Sequence, residues 1–230
     1  MIKVVIFDLD DTLISEREYI KSGFKEVAKK IKTIYKLDIN KEEIFNNLEK
    51  EFEKDSREVF NRVLNNFNIE YTKDDILYLI KIYREHKPDI KFYNDVMPAI
   101  KELKQNKIKV GIISDGYLAT QKAKLEAINA YSIFDKIILT EEIGRNYWKP
   151  HPKAFEMMKK YFGVDYDEIM YIGDNPKKDF YIGKEYPIYT VRLIRDNGIY
   201  MDEIYYKNIE PKKTVDCIYK IIEIINYMNL

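Results

Sequence analysis

The sequence predicts an α/β protein with a Rossmann-like parallel sheet and an inserted all-helical cap domain. Short apolar runs rich in Val and Ile recur along the chain without strict alternation, which is typical of strands buried on both faces. Helical patterns separate the later runs, and this order favours a parallel sheet covered by helices. One region of about half a typical domain's size breaks the alternation and contains only helical patterns.

The elements of the α/β part follow from these apolar runs and from the helical spacing between them. The predicted strands are each bounded by polar or turn residues, and they span Val4–Phe7, 110–113, Lys136–Leu139, 169–172 and 188–191. The predicted helices of this part span 97–105, 118–130, 152–162, 176–186 and 213–229. The last of them is expected to close the domain.

The region between the first strand and the first of these helices is predicted to be helical throughout. Its predicted helices span 18–37, 41–52, 56–67 and 73–86. Asn40 and Thr72 stand at the N-cap positions of two of them. We therefore expect residues 1–14 and 92–230 to form the core and residues 15–91 to form a helical cap domain. It is inserted after the first strand, at the sheet edge where open α/β folds bind ligands.

The composition limits the classes of function. The 230 residues include 39 basic and 39 acidic side chains, a balance that gives no general attraction to nucleic acid or to an anionic membrane. A single cysteine, Cys217, excludes an internal disulfide and is expected to be a small buried core residue. With no signal-peptide pattern and no apolar run near the ~20 residues of a membrane helix, we expect a cytoplasmic protein. The sequence does not indicate an oligomeric state.

Three carboxylates, Asp8, Asp10 and Asp11, follow the first predicted strand within four residues. Side chains alternate along an extended segment, so Asp8 and Asp10 share a side and Asp11 faces away. Asp8 and Asp10 can therefore face one pocket at the end of the strand, and Asp11 is expected to stabilise the following turn. A polar cap on the strand end is the alternative interpretation.

A second acidic segment, GDNPKKD at 173–179, ends another predicted strand. Pro176 suits the first turn of a helix, so Asp179 is expected to lie in that turn. Asp8, Asp10, Asp174 and Asp179 could then converge from two strand ends, and crowded carboxylates need a counter-charge. Mg²⁺ is the expected cation, because it accepts a few carboxylates together with waters and a substrate phosphate.

Two further segments offer groups that bind an anion. The strand at 110–113 leads into Ser114-Asp115-Gly116 before a helix, and a hydroxyl with backbone N–H groups at a helix N-terminus forms an anion site. Lys149 precedes a predicted helix and Pro150 stiffens its approach, so its ammonium could offset charge on a phosphoryl oxygen or on the carboxylates. Alone, either segment is also compatible with ordinary loop or surface chemistry.

In this order, FDLDDTL, IISDG, KPHP and IGDNPKKD resemble the four-motif signature of the haloacid dehalogenase-like hydrolase superfamily. The resemblance covers the whole predicted core, and the helical insertion lies where that superfamily has its cap of the C1 type. It implies a Mg²⁺-dependent phosphatase that forms an aspartyl-phosphate. Asp8 is the implied nucleophile, and Asp10 is the implied acid and base.

The resemblance also implies how the remaining site residues act. Mg²⁺ is expected on the carboxylates of Asp8 and Asp174 and on the main-chain carbonyl of Asp10. The phosphoryl oxygens are expected to be held by the remaining polar groups, namely the Ser114 hydroxyl, the Asp115 N–H and the Lys149 ammonium. Asp179 is expected to orient Lys149 or the waters of the metal.

The expected activity is hydrolysis of a small phosphomonoester, such as a sugar phosphate or a nucleotide monophosphate. Asp10 and Asp174 argue against the halide-removing members, which need no acid two residues after the nucleophile and lack the metal cluster. The ion-pump branch has Lys-Thr-Gly-Thr after its aspartate, and this chain has Leu-Asp-Asp-Thr. A phosphosugar mutase would use the same residues and stays open, as does a non-catalytic binding protein on this fold.

Overall fold

The structure is a computed structural model that describes residues 1–229. The chain divides into two compact units. The smaller unit is Glu18–Asp89, and the larger unit combines Met1–Arg17 with the chain from Ile90 onward. The predicted boundaries, after residues 14 and 91, lie within three residues of this division. That the helical unit acts as a cap stays a prediction.

The larger unit contains a six-stranded parallel sheet, which confirms the predicted fold class. Its strands are β1 (Val4–Phe7), β2 (Lys109–Ser114), β3 (Lys136–Leu139), β4 (Ile169–Gly173), β5 (Tyr189–Leu193) and β6 (Lys213–Val215). They lie in the order β3-β2-β1-β4-β5-β6, and each neighbouring pair is parallel. Val5 of β1 lies between Val110 and Met170, so β1 has β2 and β4 as its neighbours.

Helices account for most of the remaining chain. They are α1 (Glu16–Ile34), α2 (Lys41–Lys54), α3 (Val59–Asn66), α4 (Lys73–Glu85), α5 (Val96–Gln105), α6 (Leu118–Ala127), α7 (Ala130–Ile133), α8 (Thr140–Ile143), α9 (Lys153–Phe162), α10 (Ile182–Glu185) and α11 (Ile218–Met228). Short 3-10 helices span Arg145–Tyr147, Tyr166–Glu168 and Tyr206–Asn208. Within residues 1–229, no helix combines the length and the apolar character that crossing a membrane requires.

The sheet is buried on both faces, as the apolar strand sequences predict. Val5 and Phe7 of β1 belong to a cluster that also contains side chains of α5 and α11. Val4 and Ile6 belong to a second cluster, to which α9 contributes. Successive side chains of one strand therefore enter two separate cores, which is why the strands lack polar alternation.

The helical unit has its own aromatic core. Phe24 of α1 packs against Phe52, Phe60 and Tyr83, with ring centroids 5.7–6.3 Å apart. A Cβ at Gly23 would lie 2.5 Å from Cδ2 of Tyr83, so the absence of a side chain at this position lets the ring approach α1. The predicted N-caps are confirmed, because Asn40 accepts from the N–H of residue 42 and Thr72 forms a capping box at α4.

Three predicted helices differ from the structure. The segment 213–229 begins with a strand, because Val215 pairs with Leu193 and extends the sheet before α11 starts. The predicted helix 118–130 is interrupted at Asn129, whose φ of 53° lies in the left-handed region. The predicted helix 176–186 begins only at residue 182, since the preceding residues form a tight turn. Asp179 therefore lies in a turn and not in a first helical turn.

The capping box of α4 generates a prediction for stability. Thr72 accepts from the Asp75 N–H, and its own N–H donates to Asp75 Oδ2 at 2.8 Å. We expect Thr72→Ala to lower the free energy of unfolding by about 1 kcal/mol, because the Asp75 N–H loses its acceptor and the Thr72 hydroxyl no longer donates to Asp75 Oδ2. Thr33→Ala at an exposed position of α1 is the matched control and should be neutral or stabilising, since alanine favours helix. Urea denaturation measures both variants. Equal losses of unfolding free energy for Thr72→Ala and Thr33→Ala would contradict the assignment of Thr72 as the N-cap of α4.

Candidate active site

The predicted site residues start from three neighbouring strand ends. Asp8 follows β1, Ser114 ends β2, and Asp174 follows β4. The Asp8 N–H donates to the carbonyl of Ile172 at 2.8 Å and so extends the sheet by one residue. Because β2, β1 and β4 are adjacent and parallel, their carboxyl ends lie at the same edge of the sheet.

Three carboxylates converge at this edge. One oxygen from each of Asp8, Asp174 and Asp179 lies within 4.8 Å of the others, and all three residues are buried. Asn175 sets the position of Asp179, because its N–H donates to Asp179 Oδ2 at 2.9 Å. A Cβ at Gly173 would lie 2.5 Å from that same oxygen, so a side chain there would displace the acid. The turn after β4 thus brings a third acid to the two strand ends.

Lys149 pairs with two of these three acids. Its Nζ lies 2.5 Å from Asp8 Oδ1 and 2.8 Å from Asp179 Oδ1, and its side chain is fully buried. It also donates to the hydroxyl of Tyr171 at 2.8 Å, and that hydroxyl donates to Asp179. Asp179 therefore holds Lys149 directly and through Tyr171. This is the contact that the prediction for Asp179 requires.

The ammonium groups of Lys149 and the nearby Lys178 do not fully compensate the three buried acids. Burial is the largest cause that raises the pKa of Asp8, to about 6, and Lys149 only partly offsets it while Asp179 adds repulsion. Burial and the charges of Asp179 and Asp8 also raise the pKa of Asp174 well above its usual range. Burial alone would lower the pKa of Lys149, but Asp179 and Asp8 raise it well above the ordinary value. The cluster therefore has an excess of negative charge.

Asp115 fixes the loop after β2 through its side chain. Its Oδ1 accepts from Thr140 Oγ1 at 2.7 Å and from the Lys149 N–H at 3.2 Å, while its Oδ2 pairs with Lys178 Nζ at 3.2 Å. Burial raises the pKa of Asp115, but Lys149 and Lys178 outweigh it and the pKa lies below its usual value. Ser114 lies beside it with its Oγ 2.9 Å from Gln121 Nε2. Asp115 is thus held next to the main chain of Lys149, and Ser114 is held next to Gln121.

Asp10 has a different set of partners from Asp8. Its Oδ1 accepts from Lys124 Nζ at 2.7 Å, and its Oδ2 accepts from Gln121 Nε2 at 2.8 Å. Burial alone would raise the pKa of Asp10, but the charge of Lys124 and these hydrogen bonds lower it. Glu16, which pairs with Lys124 at 2.5 Å, has a pKa raised to about 8 by burial and by Asp10. The carboxylate of Asp10 is not one of the three that could hold a metal ion together.

Asp11 does not continue the extended segment on which its predicted orientation rests, and its charge still acts on Asp174. It has a positive φ of 50°, and its two oxygens accept from the backbone N–H groups of Glu16 at 2.9 Å and Ile199 at 2.7 Å. The bond to Glu16 holds the turn that leads into α1, so the predicted contribution of Asp11 to that turn is confirmed, and the bond to Ile199 connects the turn to the loop after β5. The prediction that Cys217 is a small buried residue is wrong, because this residue is only partly buried.

The structure brings the predicted residues into one region and adds side chains that the sequence analysis did not select: Glu16, Gln121, Lys124, Tyr171 and Lys178. Gln121 and Lys124 are buried on α6, and their signal is a polar pair three residues apart beside Leu125 on the inward face. Tyr171 lies inside an apolar strand, where its hydroxyl gave no visible signal. Lys178 is adjacent to Asp179, but nothing in the sequence shows which of the two lysines there turns inward.

The family follows from comparison with known proteins. A family model described as haloacid dehalogenase-like hydrolase matches residues 5–193, which is most of the chain. The chain belongs to this family, as its four motifs predict.

Curated relatives cover nearly the whole chain. A glyceraldehyde 3-phosphate phosphatase of Methanocaldococcus jannaschii is 28% identical, over 98% of this chain and 97% of the relative. The protein of the same name from Methanopyrus kandleri is 27% identical, over 94% of this chain and 91% of the relative. Pyrophosphatase PpaX of Oceanobacillus iheyensis is 27% identical, over 97% of each. With the family, these relatives confirm the prediction of a phosphatase enzyme.

Solved structures share the fold. A haloacid dehalogenase-like (HAD) phosphatase from Thermococcus onnurineus is 24% identical with a TM-score of 0.62. The match covers 97% of this chain and 98% of the other. YfnB, a HAD-hydrolase of Bacillus subtilis solved bound to magnesium, is 18% identical with a TM-score of 0.66, over 98% and 99% of the two chains. At these identities the likeness shows the fold alone.

The excess negative charge predicts how the folding stability depends on pH when a chelator removes metal ions. An unfolded Asp8 titrates near its usual pKa of about 4, and the folded one titrates at about 6. Its contribution to stability is therefore complete below pH 4 and is lost as the pH rises through 6. Asp8→Asn does not undergo this loss. Its free energy of unfolding minus that of wild type should therefore be about 2–3 kcal/mol larger at pH 7 than at pH 4.

Urea denaturation in EDTA at these two pH values measures the difference. The exposed Asp38→Asn is the control, for which the same difference should stay within about 0.5 kcal/mol. A relative stability of Asp8→Asn that does not change with pH would contradict the account of the cluster.

Proposed function

We propose that this phosphatase hydrolyses a small phosphomonoester through an aspartyl-phosphate on Asp8. The observation that carries the proposal is the placement of the Asp8 carboxylate, which Lys149 holds at 2.5 Å among buried acids. Asp8 is also adjacent to the strand end that presents Ser114. A fixed nucleophile, a cation and an anion-binding loop are the groups that phosphoryl transfer needs, since it depends mostly on positioning and charge.

In the first step, an oxygen of Asp8 attacks phosphorus and the bond from phosphorus to the substrate alcohol breaks. Ser114 and the Asp115 N–H hold the phosphoryl oxygens, and Lys149 offsets charge shared between Asp8 and the phosphoryl group. The alcohol leaves with a proton from Asp10. In the second step, Asp10 takes a proton from water, the water oxygen attacks phosphorus, and Asp8 is released with inorganic phosphate.

Magnesium is the proposed cofactor, and the donor set fits it. Asp8 and Asp174 would hold the ion through their carboxylates, and Asp10 would do so through its main-chain carbonyl. Such hard oxygen donors suit Mg²⁺, and the raised pKa values of Asp8 and Asp174 mark a place where positive charge is missing. When bound, the ion would neutralise charge on the acids and on the phosphoryl group. Asp179 would act on Lys149, with which it is already paired.

The relatives narrow the proposed substrate. Relatives that cover nearly the whole chain are named glyceraldehyde 3-phosphate phosphatases, which favours a short sugar phosphate within the predicted class of small phosphomonoesters. Pyrophosphate is the second candidate, because a relative of similar identity and coverage is named pyrophosphatase PpaX. A phosphosugar mutase would use the same catalytic residues. The phosphatase names of the relatives favour net hydrolysis over return of the phosphoryl group.

Steady-state release of inorganic phosphate tests the proposal. Wild type with Mg²⁺ should hydrolyse p-nitrophenyl phosphate and glyceraldehyde 3-phosphate, and EDTA should abolish turnover. Asp8→Asn should lower kcat by at least about 10³-fold, because the nucleophile is lost, and Asp10→Asn by about 10²–10⁴-fold, because proton transfer is lost. Wild-type turnover no greater than that of Asp8→Asn would contradict the proposal.

Asp11→Asn is the matched control in the same motif. Asparagine keeps one acceptor for the two backbone N–H groups, so stability should fall by about 1–2 kcal/mol. Its kcat at 25 °C should stay within about tenfold of wild type, since the account gives Asp11 no chemical step. A loss of kcat as large as that of Asp8→Asn would contradict the division of roles among the three acids.

A further inference from the structure

Helix α6 presents two buried polar side chains to Asp10. Lys124 Nζ donates to Asp10 Oδ1 at 2.7 Å, and Gln121 Nε2 donates to Asp10 Oδ2 at 2.8 Å. Both oxygens of the carboxylate are therefore held by the same helix. Lys124 and Gln121 are three residues apart, which places them one above the other on a single helix face. Each residue is only 2% exposed, so this contact is not a surface ion pair, and the Asp10 side chain that they hold is 25% exposed.

These side chains are costly in a core. A buried ion pair seldom stabilises a protein more than well-packed apolar residues of similar volume would. Gln121 adds a further cost, because its Oε1 is buried and has no hydrogen-bond partner among residues 1–229. The reverse amide orientation would direct that oxygen at the acceptors Asp10 Oδ2 and Asp115 O, which lie 2.8 and 2.7 Å from Nε2. The polar pair therefore fixes an orientation at the expense of packing.

The same pair connects the acid to the phosphate loop. Gln121 Nε2 lies 2.9 Å from Ser114 Oγ as well as 2.8 Å from Asp10 Oδ2. Lys124 reaches in the other direction, to Glu16 at the start of α1, at 2.5 Å. One helix face thus sets the carboxylate of Asp10 relative to the hydroxyl proposed to hold the phosphoryl group. General acid catalysis depends on this relation, because the proton must reach the leaving oxygen in the transition state.

We propose that Lys124, together with Gln121, is a positioning residue that orients the Asp10 carboxylate toward the leaving-group oxygen. The inference rests on the proposed function, since it gives these residues a role only if Asp10 transfers a proton to the departing alcohol. Lys124 touches neither substrate nor phosphoryl group in this account. Its effect is confined to the two proton transfers that Asp10 performs.

Leaving-group dependence separates this role from a structural one. p-Nitrophenolate departs readily without a proton, whereas an alkoxide needs general acid assistance. A defect in placing Asp10 should therefore depress the kcat/KM of an alkyl phosphate far more than that of p-nitrophenyl phosphate. Weakened phosphoryl binding or partial unfolding would depress both by the same factor. The ratio of the two kcat/KM values is thus a readout that a merely structural residue does not change.

The experiment compares glycerol 3-phosphate with p-nitrophenyl phosphate in the presence of Mg²⁺. Lys124→Met should lower the ratio of their kcat/KM values at least about tenfold, in the direction of Asp10→Asn. Lys124→Arg, which keeps a cation at that position, should restore the ratio to within about threefold of wild type. Lys122→Met is the matched control on the same helix, because Lys122 pairs with Glu142 on the surface and should leave the ratio unchanged.

Gln121→Met removes one hydrogen bond to Asp10 and no charge, so it tests the same inference should Lys124→Met fail to fold. Gln121→Met should lower the ratio of the two kcat/KM values at least about threefold. Circular dichroism and thermal unfolding show which variants are folded. An equal loss on both substrates for folded Lys124→Met or Gln121→Met would overturn the inference while leaving the proposed function intact. Wild type that hydrolyses neither substrate better than Asp8→Asn would overturn both.

Discussion

The repulsion among buried carboxylates at the end of β1 is the constraint on which the site depends. Asp8, Asp174 and Asp179 approach within 4.8 Å because adjacent parallel strands and one tight turn place them there. Lys149 offsets only part of their charge, and the pKa of Asp8 remains raised. The surrounding groups, including Tyr171 and the turn after β4, hold the acids in place against this repulsion. A cation or a phosphoryl group with its metal would meet a site that is already organised.

The second polar system, around Asp10, is separate from the first. Asp8 is paired with Lys149, and Asp10 is paired with Lys124 and Gln121. The two acids are only two residues apart, yet one has a raised pKa and the other a lowered one. A nucleophile has to be ionised and a general acid protonated, so these directions are the reverse of what the proposed roles require. A cation bound at Asp8 would lower its pKa and so favour the ionised nucleophile.

Much of the fold could be predicted from the sequence because local patterns determine it. The apolar strand sequences indicate a sheet buried on both faces, and the N-caps at Asn40 and Thr72 mark helices that the structure contains. Strand β6 was missed because three residues are too short for a periodic pattern, and only pairing with β5 defines them. Likewise, the turn around Asp179 depends on the Asn175 N–H bond, which a proline-led helical pattern does not reveal. The partners of Asp10 lie more than a hundred residues away, so no local spacing could identify them.

The central claim is that Asp8 attacks phosphorus, and trapping the intermediate tests it most directly. Wild-type enzyme mixed with ³²P-labelled substrate and Mg²⁺, then quenched in acid within one turnover, should carry label. That label should be released by hydroxylamine, as an acyl phosphate requires, and should map to the peptide that contains Asp8. Asp8→Asn should carry none. Turnover without any trapped label, or label on another residue, would contradict the account.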